Sequence, residues 1–176
     1  MLKNIAAPVQ AWRWGGNSAQ IAQIHTPVEG AKDAPSIAVL PFTNMSGDPE
    51  QEYFSDGISE DIITDLSKVS GLIVIARNSS FAYRGKTPDI RAVGRELGVR
   101  YVLEGSVRRA GGRIRISAQL IDAATDTHRW AERYDRQVED IFAIQDDITA
   151  SGVRRIGPQL LAAEHSRIGR KAPQSL

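Results

Sequence analysis

The sequence predicts a single α/β domain with a mixed sheet flanked by helices, in the element order βαβαβββα. Three observations support this prediction. The apolar run at residues 37–42 is typical of a strand covered on both faces. Apolar residues spaced three and four apart follow it, as in an amphipathic helix. From residue 99 the apolar period changes to two, which is typical of strands with one buried face.

The run at residues 37–42 is predicted to be a central strand of the sheet. Asp48 and Pro49 then give the cap and first turn of a helix, because an acidic side chain accepts free amide protons and proline needs no donor there. Gly71 is expected to end this helix. The stripe predicted to face the sheet contains Phe54, Ile58, Ile62, Leu66 and Val69.

A second βα unit follows. Residues 72–76 predict another buried strand, and Thr87 with Pro88 predicts the start of a second helix. Ile90, Val93 and Leu97 give this helix one apolar face, and Gly98 stops it.

Three strands are predicted next. Gly111 and Gly112 supply positive φ for a tight hairpin, and residues 123–127 form a longer turn to which Asp126 is suited. One face of the middle strand carries Ile114, Ile116, Ala118 and Leu120, and the other carries Arg113, Arg115, Ser117 and Gln119. Trp130 and Tyr134 share a face of the last strand.

The final helix is predicted from Glu139, with an apolar stripe that includes Ile144 and Ile148, until Gly157 and Pro158 interrupt it. Gly152 lies on the same stripe and leaves room for close backbone approach. We therefore expect this stripe to mediate self-association or docking to another domain.

Composition excludes several classes of protein. The 176 residues suit one domain with tails, and 22 basic against 21 acidic residues give a net charge of +1, so no global field favours nucleic acid or a membrane. The chain has no cysteine, which excludes disulfides, thiolate nucleophiles and sulfur-ligated metals. There is no apolar run of transmembrane length and no signal-peptide pattern at the start. We expect a soluble, cytoplasmic protein.

Four long segments carry a family resemblance. Residues 39–67, 74–86, 97–136 and 140–150 resemble the successive blocks of the TolB amino-terminal-like domain, and the match covers residues 36–164. The resemblance implies a domain of bacterial multidomain regulators. In these proteins it commonly lies between a class III nucleotidyl cyclase or winged-helix DNA-binding domain and an array of tetratricopeptide repeats. It implies no chemistry of the domain's own.

The flanking segments bear on the neighbouring domains. Residues 1–14 are similar to the closing strand of class III cyclase catalytic domains, and residues 15–35 read as a linker. Residues 165–176 resemble the run-in to a repeat array. We therefore expect a piece of an adenylate or guanylate cyclase-like signalling protein. The expected partners are the cyclase domain, the tetratricopeptide-type repeats and a homodimer mate, with no nucleic acid and no membrane.

One segment is a candidate small-ligand site because it is polar, basic and directly follows a strand, where open α/β sheets tend to bind ligands. It has no glycine-rich phosphate cradle, and the alternative is a structural loop whose side chains cap backbone groups. The candidate residues are Arg77, Asn78, Ser79, Ser80, Arg84 and Lys86.

Three other clusters favour structural roles. The acids between Asp48 and Asp65 are explained by the preference of helix N-termini for negative charge, with a divalent cation as the alternative. An arginine cluster favours a solvated or intramolecularly paired strand face over nucleic-acid binding, because no aromatic residues are interleaved with it. The histidines have no catalytic or metal spacing. These clusters contain Arg100, Arg108, Arg109, Arg113 and Arg115, and His25, His128 and His165.

No catalytic residue, metal site or cofactor is predicted for this chain. The leading hypothesis is a non-catalytic regulatory or protein-interaction domain. The alternatives are a small-molecule or nucleotide sensor and a module of a DNA-binding transcriptional regulator.

Overall fold

The computed structural model describes residues 34–171. The predicted cyclase-like strand, the linker as far as residue 33 and the end of the tail from residue 172 lie outside these residues. The described elements are β1 (Ser36–Val39), β2 (Thr43–Asn44), α1 (Glu50–Ser67), β3 (Ile73–Val74), α2 (Arg77–Phe81), α3 (Ile90–Leu97), β4 (Tyr101–Ala110), β5 (Arg113–Asp122), β6 (Thr127–Gln137), a 3-10 turn (Val138–Asp140) and α4 (Ile141–Lys171).

The sheet is mixed, in the strand order β3–β1–β4–β5–β6, and β2 pairs with β4 beyond the end of β1. β1 is parallel to both β3 and β4, whereas β4, β5 and β6 form an antiparallel meander. The predicted mixed α/β fold is confirmed, and so is the central position of the first strand.

Two layers of helix cover the sheet. The main core lies on the face carrying Ile37, Leu103 and Ile116, and it is closed by α1 and α4. A smaller core of Ala38, Leu40, Val93, Val99, Val102 and Ala123 lies on the opposite face. Alternating strand residues supply the two cores, as the period of two requires.

The first βα unit begins as predicted but differs in its details. β1 ends at Val39 instead of residue 42. The amide of Leu40 still donates to Leu103 of β4 at 2.9 Å, but that of Phe42 donates to Ser59 Oγ at 2.9 Å. Asp48 Oδ1 accepts from the amide of Glu50 at 3.0 Å, which confirms its capping role. The helix ends at Ser67, and Gly71 adopts φ +81° in the turn beyond it.

The second βα unit differs more. β3 is an edge strand, and Ile73 is 36% exposed, so the prediction of a buried strand is wrong. A short helix, α2, replaces the predicted loop at Arg77–Phe81. α3 begins at Ile90, after residues 87–88, because Asp89 caps it by accepting from the amide of Arg91 at 3.0 Å. Gly98 ends α3 with φ +66°, as predicted.

The meander follows the sequence pattern closely. Residues 114, 116, 118 and 120 are buried and residues 113, 115, 117 and 119 are not. Trp130 and Tyr134 are both buried. Of the two hairpin glycines only Gly111 has positive φ, at +58°, since one left-handed residue is enough here. Asp126 adopts φ +55° in the longer turn.

α4 is longer than predicted. It continues through Pro158 to Lys171, so the predicted interruption is wrong. A proline removes one amide donor, and the hydrogen bonds of the turns on either side can still hold the helix. Ile144 and Ile148 are buried in the main core, so this stripe packs on the sheet and is not free to dock another protein. Among residues 34–171 no helix is both long and apolar enough to cross a membrane.

Candidate functional site

A cleft of about 830 Å³ opens where β1 leaves the sheet. Residues 40–44 and the loop at residues 83–88 form two of its walls, and residues of α1 contribute to the rim. The meander forms its floor. The cleft therefore lies beyond the carboxyl end of a parallel strand, where open α/β sheets tend to bind ligands.

Polar side chains from neighbouring strands line the floor. Glu104 lies directly opposite Gln119, whose amide Nε2 donates to the carboxylate. Ser106 lies opposite Ser117 in the next pair on the same face. Strand register alone brings these polar groups together, and they offer donors and acceptors to a ligand. On the opposite, core-facing side of β4, the ring of Phe42 packs against Gly105, which has no side chain to displace it.

The wall opposite the floor is held by ion pairs and hydrogen bonds. Arg84 donates to the carboxylate of Asp56 on α1. Burial raises the pKa of Asp56, and the opposing charge of Arg84 offsets only part of this effect. Tyr83 donates to Glu96 of α3, and this hydrogen bond, followed by burial, raises the pKa of the phenol. These contacts fix the loop in place.

The cleft carries charges of both signs. Its acidic lining residues are Glu52, Asp56, Glu104 and Glu132, and its basic ones are Arg84, Lys86 and Arg133. Because the acids outnumber the bases and Asp56 already neutralises Arg84, the cleft suits a neutral polar or zwitterionic molecule better than a simple anion.

Only part of the predicted ligand segment reaches the cleft. Arg84 and Lys86 line it, whereas the other four predicted residues belong to α2 and do not. Asn78 and Ser79 are exposed, and Ser80 is fully buried. The ligand role of this set remains a prediction. Of its six residues, only Arg84 and Lys86 are placed where they could contact a molecule in the cleft.

Arg77 is held by contacts within the domain. Its Nε lies 3.1 Å from Glu60 Oε2, and its guanidinium stacks over the ring of Phe81 at 4.2 Å from the centroid. These contacts bind α2 to α1 and explain the position of the arginine without a ligand.

The acidic stretch is divided among separate partners. Asp56 pairs with Arg84 and Asp65 with Lys68, while Asp61 accepts from Gln145 at 3.0 Å. In the described part of the chain no group of three acidic, histidine or cysteine residues is arranged to hold a metal ion. His128 is an exposed residue of β6, and His25 lies outside the described range.

The five arginines of the predicted cluster do not lie on one surface of the sheet. Arg100 binds Asp122 at one end of the meander, and Arg109 lies over the ring of Phe54 at 5.7 Å on the helix-covered face. Arg108, Arg113 and Arg115 share the opposite, uncovered face. Neither the buried Asp122 nor the floor pair of Glu104 and Gln119 was predicted from the sequence. Both depend on strand register, and only the alternation along each strand could have indicated them.

A family model described as "HilA/YgeH-like transcriptional regulator, second domain" matches residues 32–151. The chain belongs to this family. The match covers β1 to the first turns of α4, so this HilA/YgeH-like second domain includes the whole sheet and the cleft.

A curated relative extends the match over almost the full chain. "Putative adenylate cyclase 3" from Rhizobium meliloti (strain 1021) is 64% identical over 171 residues. The alignment covers 94% of this chain and 29% of that protein. The chain thus spans less than a third of the relative's length. This relative supports the resemblance to domains of cyclase-like proteins.

Solved structures confirm the fold. The crystal structure of TolB from Acinetobacter baumannii superimposes with a TM-score of 0.53 and 17% sequence identity, covering 70% of this chain and 28% of TolB. The HilA/YgeH-like domain therefore has the TolB-like fold that its sequence blocks indicated. At this identity the likeness extends to the fold alone.

Proposed function

We propose that this chain is a non-catalytic regulatory and protein-interaction domain of an adenylate cyclase-type signalling protein. The observation that carries the proposal is the 64% identity to "Putative adenylate cyclase 3", of whose length the match covers 29%. Identity at this level over nearly the whole domain indicates a shared role in the parent protein. The proposal includes contacts with a cyclase domain and with tetratricopeptide-type repeats, and a cytoplasmic location, where ATP is available.

The fold supports a scaffold role. α1 and α4 close one face of the sheet, while α3 covers part of the other and leaves the polar face of the meander exposed. An antiparallel sheet with one exposed polar face is stable in water and also offers a rigid, patterned surface to a neighbouring domain. On this proposal bond-making belongs to other parts of the parent.

The test uses the full-length relative from Rhizobium meliloti in three forms: unchanged, with the matching segment deleted, and with that segment replaced by this chain. The measurement is cyclic AMP formed from ATP with Mg²⁺, in parallel with the isolated chain. We expect deletion to change the rate, the replacement to restore it, and the isolated chain to form no cyclic AMP. Turnover by the isolated chain, or a deletion with no effect on the rate, would refute the proposal.

A second candidate function is a small-molecule sensor, and the cleft favours it. Its volume of about 830 Å³ falls within the range of about 300–1,000 Å³ that is usual for small-ligand sites. The mixed charges of its lining favour zwitterions over phosphates. Thermal shift with amino acids, nucleotides and phosphate at high excess tests this, since a ligand that binds only the folded state raises Tm. A Lys86→Glu variant should lose the shift if the ligand lies in the cleft.

The family description favours a third candidate, a module of a DNA-binding transcriptional regulator. In that setting this second domain would serve the same connecting role beside a different neighbour. Co-purification distinguishes the first proposal from the third. Binding of the chain to a cyclase domain would support the first, and binding to a DNA-binding domain would support the third.

A further inference from the structure

One surface of the meander carries an excess of positive charge that the domain itself does not balance. This surface, which we call the basic face, consists of the exposed residues Arg108, Arg113, Arg115 and Arg133. Asp135 lies opposite Arg115 and is bonded to it through Nε at 2.6 Å, with Arg133 Nε at 3.8 Å. Among the described residues Asp135 is therefore the one carboxylate paired with these four guanidinium groups, while Glu104 on the same face accepts a hydrogen bond from Gln119.

The basic face includes an unfavourable pairing. Arg108 lies directly opposite Arg115 in the β4–β5 register, and like charges facing each other across a strand pair destabilise a sheet. Folding gains nothing from this arrangement, whereas an acidic partner laid across the two strands would be attracted to both guanidinium groups.

An acidic surface lies on the helix layer. This surface, which we call the acidic ridge, consists of the exposed Glu139, Asp140, Asp146 and Asp147 around Phe142, which is 70% exposed. The helix dipole accounts for acids in the first turn, but Asp146 and Asp147 lie beyond it. Phe142 and Asp146 are four residues apart, so an aromatic ring and a carboxylate lie side by side on the helix.

The acidic ridge begins beside the basic face, because Gln137 pairs with Arg113 and the amide of Val138 donates to the carbonyl of Gly112 at 2.9 Å. Along α4 the ridge continues on the other side of the sheet. Ile144 and Ile148 of α4 pack against the face of the sheet opposite the basic face, and the acidic ridge points away from them into solvent. Binding of the basic face of one copy to the acidic ridge of another joins different surfaces on the two copies, so this contact is head-to-tail.

We propose that the basic face of one copy of this chain binds the acidic ridge of a second copy. The carboxylates of the ridge pair with Arg108 and Arg113, and the exposed ring of Phe142 stacks under a guanidinium group, as arginine and aromatic rings favour. The small side chains of Ser106, Ser117 and Ala131 beside the arginines leave room for the ring. Exposed ion pairs contribute little singly and are screened by salt, so the association is weak and salt-sensitive.

The test is sedimentation velocity of the full 176-residue chain over a wide concentration range. At about 0.01 M and about 1 M NaCl the Debye lengths are about 30 Å and about 3 Å, which spans unscreened and screened surfaces. We expect the average mass to rise with concentration at low salt and to stay at that of the monomer at high salt. A chain that stays monomeric at both would overturn the proposal and leave the basic face to another partner.

Two charge-reversed variants identify the surfaces. Arg108→Glu with Arg113→Glu reverses the basic face and keeps the Arg115–Asp135 pair, and Asp146→Lys with Asp147→Lys reverses the ridge. Each variant should be monomeric alone. Mixed in equal amounts they should form a dimer, because each keeps the surface that the other has lost. A mixture that stays monomeric contradicts the proposed pairing.

The matched control is Arg91→Glu with Arg95→Glu, which makes the same change in charge on the exposed side of α3. It should associate as the unchanged chain does. A loss of association in this control equal to that of the basic-face variant would show that net charge, and not the surface, is responsible. Circular dichroism of all variants checks that each is folded.

Discussion

The guanidinium of Arg100 holds the carboxylate of Asp122 across the β4–β5 pair. Arg100 Nε lies 3.2 Å from both carboxylate oxygens and its Nη2 lies 3.0 Å from Oδ2. Arg129 Nη2 donates to the same oxygen at 3.0 Å, and the amide of Ala124 donates to Oδ1 at 3.1 Å. Asp122 is fully buried. This one carboxylate ties together the start of β4, the end of β5 and β6.

Asp122→Asn should lower the free energy of unfolding by about 1.5–3 kcal/mol, because it weakens the charge-assisted hydrogen bonds that this buried carboxylate accepts from two half-exposed arginines. Urea denaturation followed by circular dichroism measures the change. The matched control is Asp135→Asn, whose partner Arg115 is exposed, and there the loss should be much smaller. Equal losses in the two variants would contradict the special role of Asp122.

The same site predicts a dependence on pH. Burial alone would raise the pKa of Asp122, but the hydrogen bonds from Arg100 and Arg129 outweigh it and hold the pKa below the ordinary value. A lowered pKa stabilises the fold above the unfolded pKa of about 4, and this stability is lost as the pH falls through the folded pKa. Denaturation between about pH 7 and pH 2 should show a steeper acid loss in the unchanged chain than in Asp122→Asn.

Gly105→Ala should destabilise the domain by about 1–3 kcal/mol, the usual cost of overpacking. A Cβ at this position would overlap the carbonyl oxygen of Ser117 and lie 2.6 Å from Phe42 Cε2. The phenyl ring could rotate away, but the backbone of β5 could not. Thermal unfolding gives the shift in Tm.

Gly57→Ala is the matched control for that substitution. No atom lies within 4 Å of a Cβ built at Gly57, which is in the middle of α1. Alanine should stabilise the helix by about 0.5–1 kcal/mol. A decrease in Tm for both variants would mean that the contacts with Ser117 and Phe42 are not what makes Gly105 necessary.

The meander and α1 could be predicted from sequence because their patterns are local. Alternation in β5 assigns each residue to a face without reference to any other strand. The exposure of Ile73 could not be predicted, since it depends on the position of β3 at the edge of the sheet. The cleft floor likewise needs the register that places Glu104 opposite Gln119. Periodicity along one strand shows which face of the sheet each residue lies on, but it does not show which residue of the next strand lies beside it.

Ser80→Ala should leave stability unchanged or raise it slightly. Ser80 is fully buried, and its Oγ has no hydrogen-bond partner among the described residues. Burial therefore removes the hydroxyl from water without a hydrogen bond that compensates for the loss. Urea denaturation measures the effect. Asn78→Ala, at an exposed neighbouring position, is the control. A large loss of stability in Ser80→Ala but not in Asn78→Ala would contradict this prediction.

Tyr134 should make the fold sensitive to alkali. Burial, with the nearby charge of Glu132 next in importance, raises the pKa of its phenol to about 12. A raised pKa contributes stability that is complete below the unfolded value of about 10 and is lost as the pH rises through the folded value.

Denaturation at several pH values between about 8 and 12 tests this prediction. The free energy of unfolding should decline in the unchanged chain and decline less steeply in Tyr134→Phe. Tyr53→Phe is the control, because Tyr53 is 87% exposed and its loss should leave the slope unchanged. A slope equal in Tyr134→Phe and the unchanged chain would assign the alkaline transition to other groups.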